Sequence, residues 1–142
     1  MKTHYVLPLV AWLICCNATA TENVLPRHAD ARYSEDDFLP VRSTALTPGP
    51  VKRRSLSAKG LPTFFLLGDD PLSRSWLKRR HPGLVQMNAV GLIVNVESKT
   101  ALEGLRRIAP GLSMSPVSAD DLAQRLSLKH YPVLITADSV EQ

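Results

Sequence analysis

The sequence predicts an α/β layer fold over residues 61–142, and two observations carry that expectation. Four strand-length apolar runs, at 62–67, 89–96, 112–117 and 133–136, alternate with three stretches of helical periodicity. Each helical stretch opens on a residue suited to capping, so the order reads β-α-β-α-β-α-β. Strands separated by helices pair in one sheet and carry the helices on its faces.

The first strand, Pro62-Thr-Phe-Phe-Leu-Leu67, is continuously apolar and bounded by Gly68, as a strand covered on both faces should be. Asp69 or Asp70 caps the helix that follows, whose first turn takes Pro71 without losing a needed N–H. Leu72, Trp76 and Leu77 give that helix a buried side, with Trp76 standing either in the core or as a surface anchor. Lys78, Arg79, Arg80 and His81 put positive charge at its C-terminal end, and Pro82-Gly83 is expected to stop it. Ala89 to Val96 is a second buried strand. Thr100 and Glu103 make a capping box for a helix that buries Leu102, Leu105 and Ile108 and ends at Pro110-Gly111. Leu112 to Val117 is a weaker strand, because Ser113 and Ser115 alternate with Leu112 and Met114.

The organising stretch is Ser118 to Thr136. Ser118 is a good N-cap, Asp121 answers it three residues on, and both Asp120 and Asp121 favour the positive end of the helix dipole. Leu122, Ala123 and Leu126 recur at helical spacing, and Leu128 carries the stripe into the turn. Pro132 cannot donate to a ladder and belongs at the first residue of a strand, followed by the β-prone Val133-Leu-Ile-Thr136.

Ahead of residue 61 the pattern changes. Lys2, the apolar stretch from Tyr5 to Cys16 and the small residues Ala18-Thr-Ala20 describe a secretory signal over residues 1–20, giving a mature chain that starts at Thr21. Both cysteines, Cys15 and Cys16, lie in that signal, so cleavage leaves none. Leu13-Ile-Cys-Cys16 also partly resembles a lipoprotein signal, although Cys15 stands where that pattern wants Gly, Ala or Ser; a lipid on Cys16 is the alternative to a soluble periplasmic protein. Residues 21–60 lose periodicity, and prolines at 26, 40, 48 and 50 interrupt any helix, so a disordered Pro-rich linker is expected there. Within it Leu39-Pro-Val-Arg42 and Leu46-Thr-Pro-Gly-Pro50 favour extended, polyproline-like backbone, ordered enough to be a docking peptide; the alternative is a flexible tether. The formal charge of +4 and the short blocks Lys52-Arg-Arg54 and Lys78-Arg-Arg80 permit contact with an acidic partner or lipid headgroups and do not make a nucleic-acid-binding face.

The order helix, Leu-Ala, turn, Tyr131-Pro132, aliphatic strand looks like the part of thioredoxin-like domains in which a cis-proline precedes a central strand. From Leu61 to Gln142 the chain is similar to integrating conjugative element proteins, through Leu66-Leu-Gly-Asp-Asp70, Val90-Gly-Leu-Ile-Val-Asn-Val96 and Tyr131-Pro-Val-Leu-Ile-Thr136. Those proteins travel on mobile DNA elements beside type IV secretion genes. The resemblance implies a thioredoxin-like three-layer domain and a place among the envelope proteins of a conjugation machinery. It also implies that a cis Tyr131–Pro132 bond exposes a peptide-docking edge; the alternative is a trans bond that simply starts an edge strand.

Thioredoxin-like redox chemistry needs Cys-x-x-Cys after a strand, with one thiol activated at a helix N-terminus. The matching place is Gly68-Asp-Asp-Pro71, which has no sulfur, so disulfide exchange is excluded for the mature chain. Asp69 and Asp70 are either caps or part of a cation site with other carboxylates. Histidines 4, 28, 81 and 130 are scattered, and no nucleophile elbow, Walker loop or glycine-rich phosphate cradle occurs. No catalytic, metal or cofactor site is expected.

The sequence therefore leads to a periplasmic, non-catalytic accessory or assembly component of conjugative (type IV secretion) transfer, with Tyr131, Pro132, Asp69 and Asp70 as candidate partner-docking residues. Its partners are expected among other envelope proteins, with no direct nucleic acid and membrane contact only through a lipid anchor; oligomeric state is left open. A thiol-independent folding factor and a lipid-anchored adaptor are the alternatives. Intact-mass measurement of envelope protein should find Thr21 at the N-terminus; a diacylglyceryl adduct on Cys16 would establish the lipoprotein form instead.

Overall fold

The computed structural model describes residues 34–142. After a short 3-10 turn at Glu35–Phe38 come β1 (Thr47–Pro48), β2 (Arg54–Ser55), β3 (Phe64–Gly68), α1 (Pro71–Gln86), β4 (Val90–Asn95) and α2 (Lys99–Ile108). They are followed by β5 (Met114–Pro116), α3 (Asp120–Arg125), β6 (His130–Tyr131), β7 (Val133–Ile135) and β8 (Ser139–Glu141). The α/β class expected from the sequence is what the chain forms. Six strands make one mixed sheet in the order β2-β8-β7-β3-β4-β5, with β3, β4 and β5 parallel and β7 antiparallel to β3.

β3 is buried at all five positions, because both of its faces are covered. Phe65 and Leu67 point into one core with Trp76, Leu77 and Leu84 of α1 and Leu102 and Leu105 of α2. Phe64 and Leu66 point into the other with Ala123, Leu128, Tyr131, Val133 and Ile135. Trp76 is a core residue, its ring tilted against Phe65 at a centroid distance of 5.9 Å. Phe65 needs the neighbouring strand to carry no side chain at Gly91, where a Cβ would come within 2.7 Å of its Cζ.

Element boundaries depart from expectation where burial and long-range contacts outweigh local signals. α1 does not stop at Pro82-Gly83 but runs to Gln86. Lys78 and Pro82, one turn apart, are both exposed, so the missing proline N–H falls on the solvent side while Leu84 stays buried against the sheet. The turn comes at Asn88, whose left-handed backbone (φ 49°) is a common way to end a helix. Leu72, expected inside, is 41% exposed. α2 is capped by Ser98, which accepts from the Ala101 N–H at 3.2 Å, and not by a Thr100–Glu103 box. Ser118 does not cap α3; its carboxylate-rich first turn is engaged elsewhere, as described below. β6 and β8 are additional to the expected strands, and Leu126, expected in the core stripe, is only partly buried.

The largest correction concerns residues 34–60, which are not a disordered linker. They run as an ordered arm around the sheet. Val41 exchanges two backbone hydrogen bonds with Val96 (2.9 and 3.1 Å), β1 pairs parallel with β6, and β2 pairs antiparallel with β8. Leu56 and Ala58 donate on to Asp138 and Ala137. Val41 is buried in the α1/α2 core and Leu46, only 2% exposed, in the other. Two well-separated apolar anchors leave no periodicity to detect, and the rest of the arm is held by backbone pairing and polar contacts. At its start Arg106 of α2 grips Glu35 through both carboxylate oxygens (2.6 and 2.9 Å), holding that carboxyl below its ordinary pKa. The expected signal at 1–20, Cys16 and the first part of the expected linker lie outside the described residues.

An arm that completes both cores has a measurable consequence. Leu46→Ala should lower the unfolding free energy by about 2–5 kcal/mol in urea titrations, as truncation of a buried leucine does. A change within about 0.5 kcal/mol, the range of surface substitutions, would show that the arm does not contribute to the core.

Candidate functional site

The four residues singled out from the sequence meet at one end of the sheet, where β3 hands over to α1 beside β6. Asp70 is the N-cap of α1: its carboxylate accepts from the Ser73 N–H at 2.9 Å and from the Ser73 hydroxyl at 2.6 Å. That hydroxyl in turn accepts from the Gly68 N–H (3.2 Å), so a fully buried serine ties the strand end to the cap. Asp69 donates its N–H to the Asn95 carbonyl at 2.9 Å and pairs through its carboxylate with the Arg74 guanidinium. Both aspartates are thus occupied in structural contacts, and the described residues hold no group of three His, Cys, Asp or Glu able to ligate a metal.

Tyr131 lies across Gly68, where a Cβ would run into its ring, and is 4% exposed. Tyr131–Pro132 is cis, as is Leu39–Pro40. The edge expected beside it is nevertheless not open. The Thr47 N–H donates to the Lys129 carbonyl and the Gly49 N–H to the Tyr131 carbonyl, each at 3.0 Å, so the arm already occupies it as β1. Pro132 is buried and leads into β7, an interior strand between β3 and β8, and so is neither an exposed docking residue nor the start of an edge.

Three polar residues outside those four candidates hold this corner. Asn95, at the end of β4, accepts from the Ser43 N–H through Oδ1 (2.8 Å) and donates through Nδ2 to the Tyr131 hydroxyl (3.1 Å) and the Leu46 carbonyl (3.4 Å). Buried Ser43 donates to the Val94 carbonyl (2.8 Å) and accepts from the Ala119 N–H (3.0 Å). Asp120 accepts from the Ala45 N–H (2.9 Å) and the Thr44 N–H (3.3 Å), so the arm and the start of α3 satisfy one another in place of a Ser118 cap. Each of these partners is more than thirty residues away in sequence, which is why no local motif announces them.

No cysteine stands among the described residues, His81 contacts the Pro110 carbonyl through Nε2 (2.8 Å), and His130 faces the Thr47 hydroxyl through Nδ1 (3.1 Å). Among the described residues no helix is long and apolar enough to cross a membrane.

A family model covers residues 15–140. The chain belongs to that family, described as protein of unknown function DUF2859. No curated protein and no solved structure matches the chain.

In this DUF2859 chain the corner buries the Tyr131 phenol. Burial pushes its pKa up from the ordinary value, with the Asn95 amide donor working against burial and the Asp70 carboxylate adding to it. A phenol whose folded pKa is raised contributes stability that is fully present below the unfolded value of about 10 and is lost as pH rises through the folded one. Spectrophotometric titration should show a tyrosine step above the ordinary phenol range that vanishes in Tyr131→Phe. Ionisation of Tyr131 near the free-phenol value would mean that the corner is open to water.

Proposed function

We propose that this chain is a non-catalytic accessory or assembly component of conjugative element transfer, exported to the periplasm and built on a thioredoxin-like domain. The strand order β8-β7-β3-β4, with α1 starting where β3 ends and a proline opening β7 beside it, supports the thioredoxin-like part. Having Asp69 and Asp70 at the helix start, where thioredoxin-like chemistry would need thiols, supports binding over catalysis. The arm fills from within the edge that such a domain would offer to an extended peptide, so recognition of a partner passes to another surface.

The observation that carries the proposal is a wholly apolar groove of about 380 Å3 lined chiefly by Leu61, Pro62, Phe64, Val90, Leu92 and Leu122. It lies at the N-terminal ends of the parallel strands β3 and β4, with α3 contributing Leu122. Val90 is 40% exposed there, and the same stretch of chain exposes Val85 and Met87. Apolar side chains concentrated at one place on a domain mark an interaction surface.

Deleting the gene from a donor strain should lower the frequency of element transfer. The wild-type gene should restore it, and Val90→Glu should not, although the variant protein unfolds within about 1 kcal/mol of wild type, as surface substitutions do. Unchanged transfer after deletion, or full restoration by Val90→Glu, would overturn this role.

A further inference from the structure

Lys52, Arg53 and Arg54 are consecutive, but the fold separates them, as alternate residues of a chain running into a strand are separated. Arg53 turns to Glu141 (3.3 Å), which Arg80 also reaches (3.2 Å). Lys52 and Arg54 instead line a cleft of about 510 Å3 whose opposite wall is the turn Ser127–His130 after α3, bringing in Lys129 and His130. No carboxylate lines this cleft, and none of Lys52, Arg54 and Lys129 forms an ion pair among the described residues. Three permanent cations therefore converge on one concavity in a chain whose net charge is only +4.

The walls are held in place. The Arg54 guanidinium donates to the Leu126 carbonyl, and His130 is fixed by the Thr47 hydroxyl and by close packing on Gly49, where a Cβ would come within 2.7 Å of Nδ1. Ser127 takes the left-handed backbone that the turn requires (φ 51°). The cleft thus rests on the pairing of β1 with β6 and of β2 with β8. Gathering like charges costs electrostatic energy that a bound multivalent anion offsets. An arginine fork and two lysine ammonium groups suit the oxygens of a phosphate, and the volume falls in the usual range for small-molecule sites.

We propose that this cleft binds a phosphate group, carried either on an anionic lipid headgroup or on a soluble phosphoester. The cations form a compact pocket and not a stripe following a nucleic-acid backbone, which sets duplex DNA aside as the ligand. The site is independent of the apolar groove and of the role assigned to it.

The test uses the protein as purified from cells. Inorganic phosphate and pyrophosphate are titrated while amide resonances are followed, and phosphatidylglycerol vesicles are compared with phosphatidylcholine vesicles in co-sedimentation. Shifts confined to residues 50–54 and 127–130, or selective sedimentation with phosphatidylglycerol, support the proposal, the first pointing to a soluble phosphoester and the second to a lipid. In either arm Lys52→Glu/Lys129→Glu should weaken binding about tenfold or more, the loss expected for a charge-assisted hydrogen bond. Should the double variant fold poorly, Lys129→Gln alone should weaken binding in the same arm. Absence of binding in both arms, binding unchanged in a folded variant, or binding of duplex DNA alone overturns it.

Discussion

The Asn95 carboxamide is the contact on which the corner of this domain depends. It stands at the end of β4 and reaches the arm at Ser43 and Leu46 and the β6 residue Tyr131 at once, using its oxygen and its NH2 group. Such a group is costly to leave unmatched, since each buried donor or acceptor deprived of its partner loses about 1–3 kcal/mol. The same asymmetry applies to Ser43, whose hydroxyl joins the Val94 carbonyl to the Ala119 N–H. The arm is therefore held by polar groups that have nowhere else to satisfy themselves, and Val41 and Leu46 add apolar burial at either side of them.

That attachment also solves a problem of the sheet. Strand edges expose unpaired backbone groups and invite pairing with other chains. The arm covers β8 with β2 and β6 with β1, while the far edge ends in a β5 of three residues that finishes on Pro116, which cannot donate. Short edges, one covered and one blunted, keep the domain from pairing through its backbone. Contact with other molecules then falls to side chains.

How much of this could be read from the sequence follows from the range of the forces involved. The buried strands were legible because Phe64 to Leu67 and Val90 to Val94 are apolar without interruption, and the start of α1 was legible because Asp70 and Pro71 act within a single turn. The far end of α1 was misread because a proline signals a stop only where its missing N–H matters, and Pro82 faces solvent. Ser118 has the right chemistry for a cap, yet Asp120 binds the arm and Ser43 takes the Ala119 N–H, a competition invisible to any local window. The arm's prolines speak against helix and for extended chain, but nothing local says where that chain will pack. Asp69, Asp70, Tyr131 and Pro132 come together at one corner, but the sequence could not show that Thr47 and Gly49 would come to lie on the edge beside them.

The arm thus does more than add stability: it determines which surfaces exist. Pairing β1 with β6 closes the backbone beside Tyr131 and in the same step brings Pro50 to Arg54 opposite Ser127 to His130, creating the basic cleft. The apolar groove depends on the arm less directly, since Leu61 and Pro62 line it immediately after the arm leaves β8. α3 stands between the two, giving Leu122 to the groove and leading into the turn that walls the cleft. Because Ser43 takes the Ala119 N–H and the Thr44 and Ala45 N–H groups bind the Asp120 carboxylate, an arm that let go would take away a cleft wall and the contacts that seat the start of α3 together. Edge closure, cleft and helix position are in this sense one structural event, set by a segment whose composition suggests extended chain and gives no sign of where it packs.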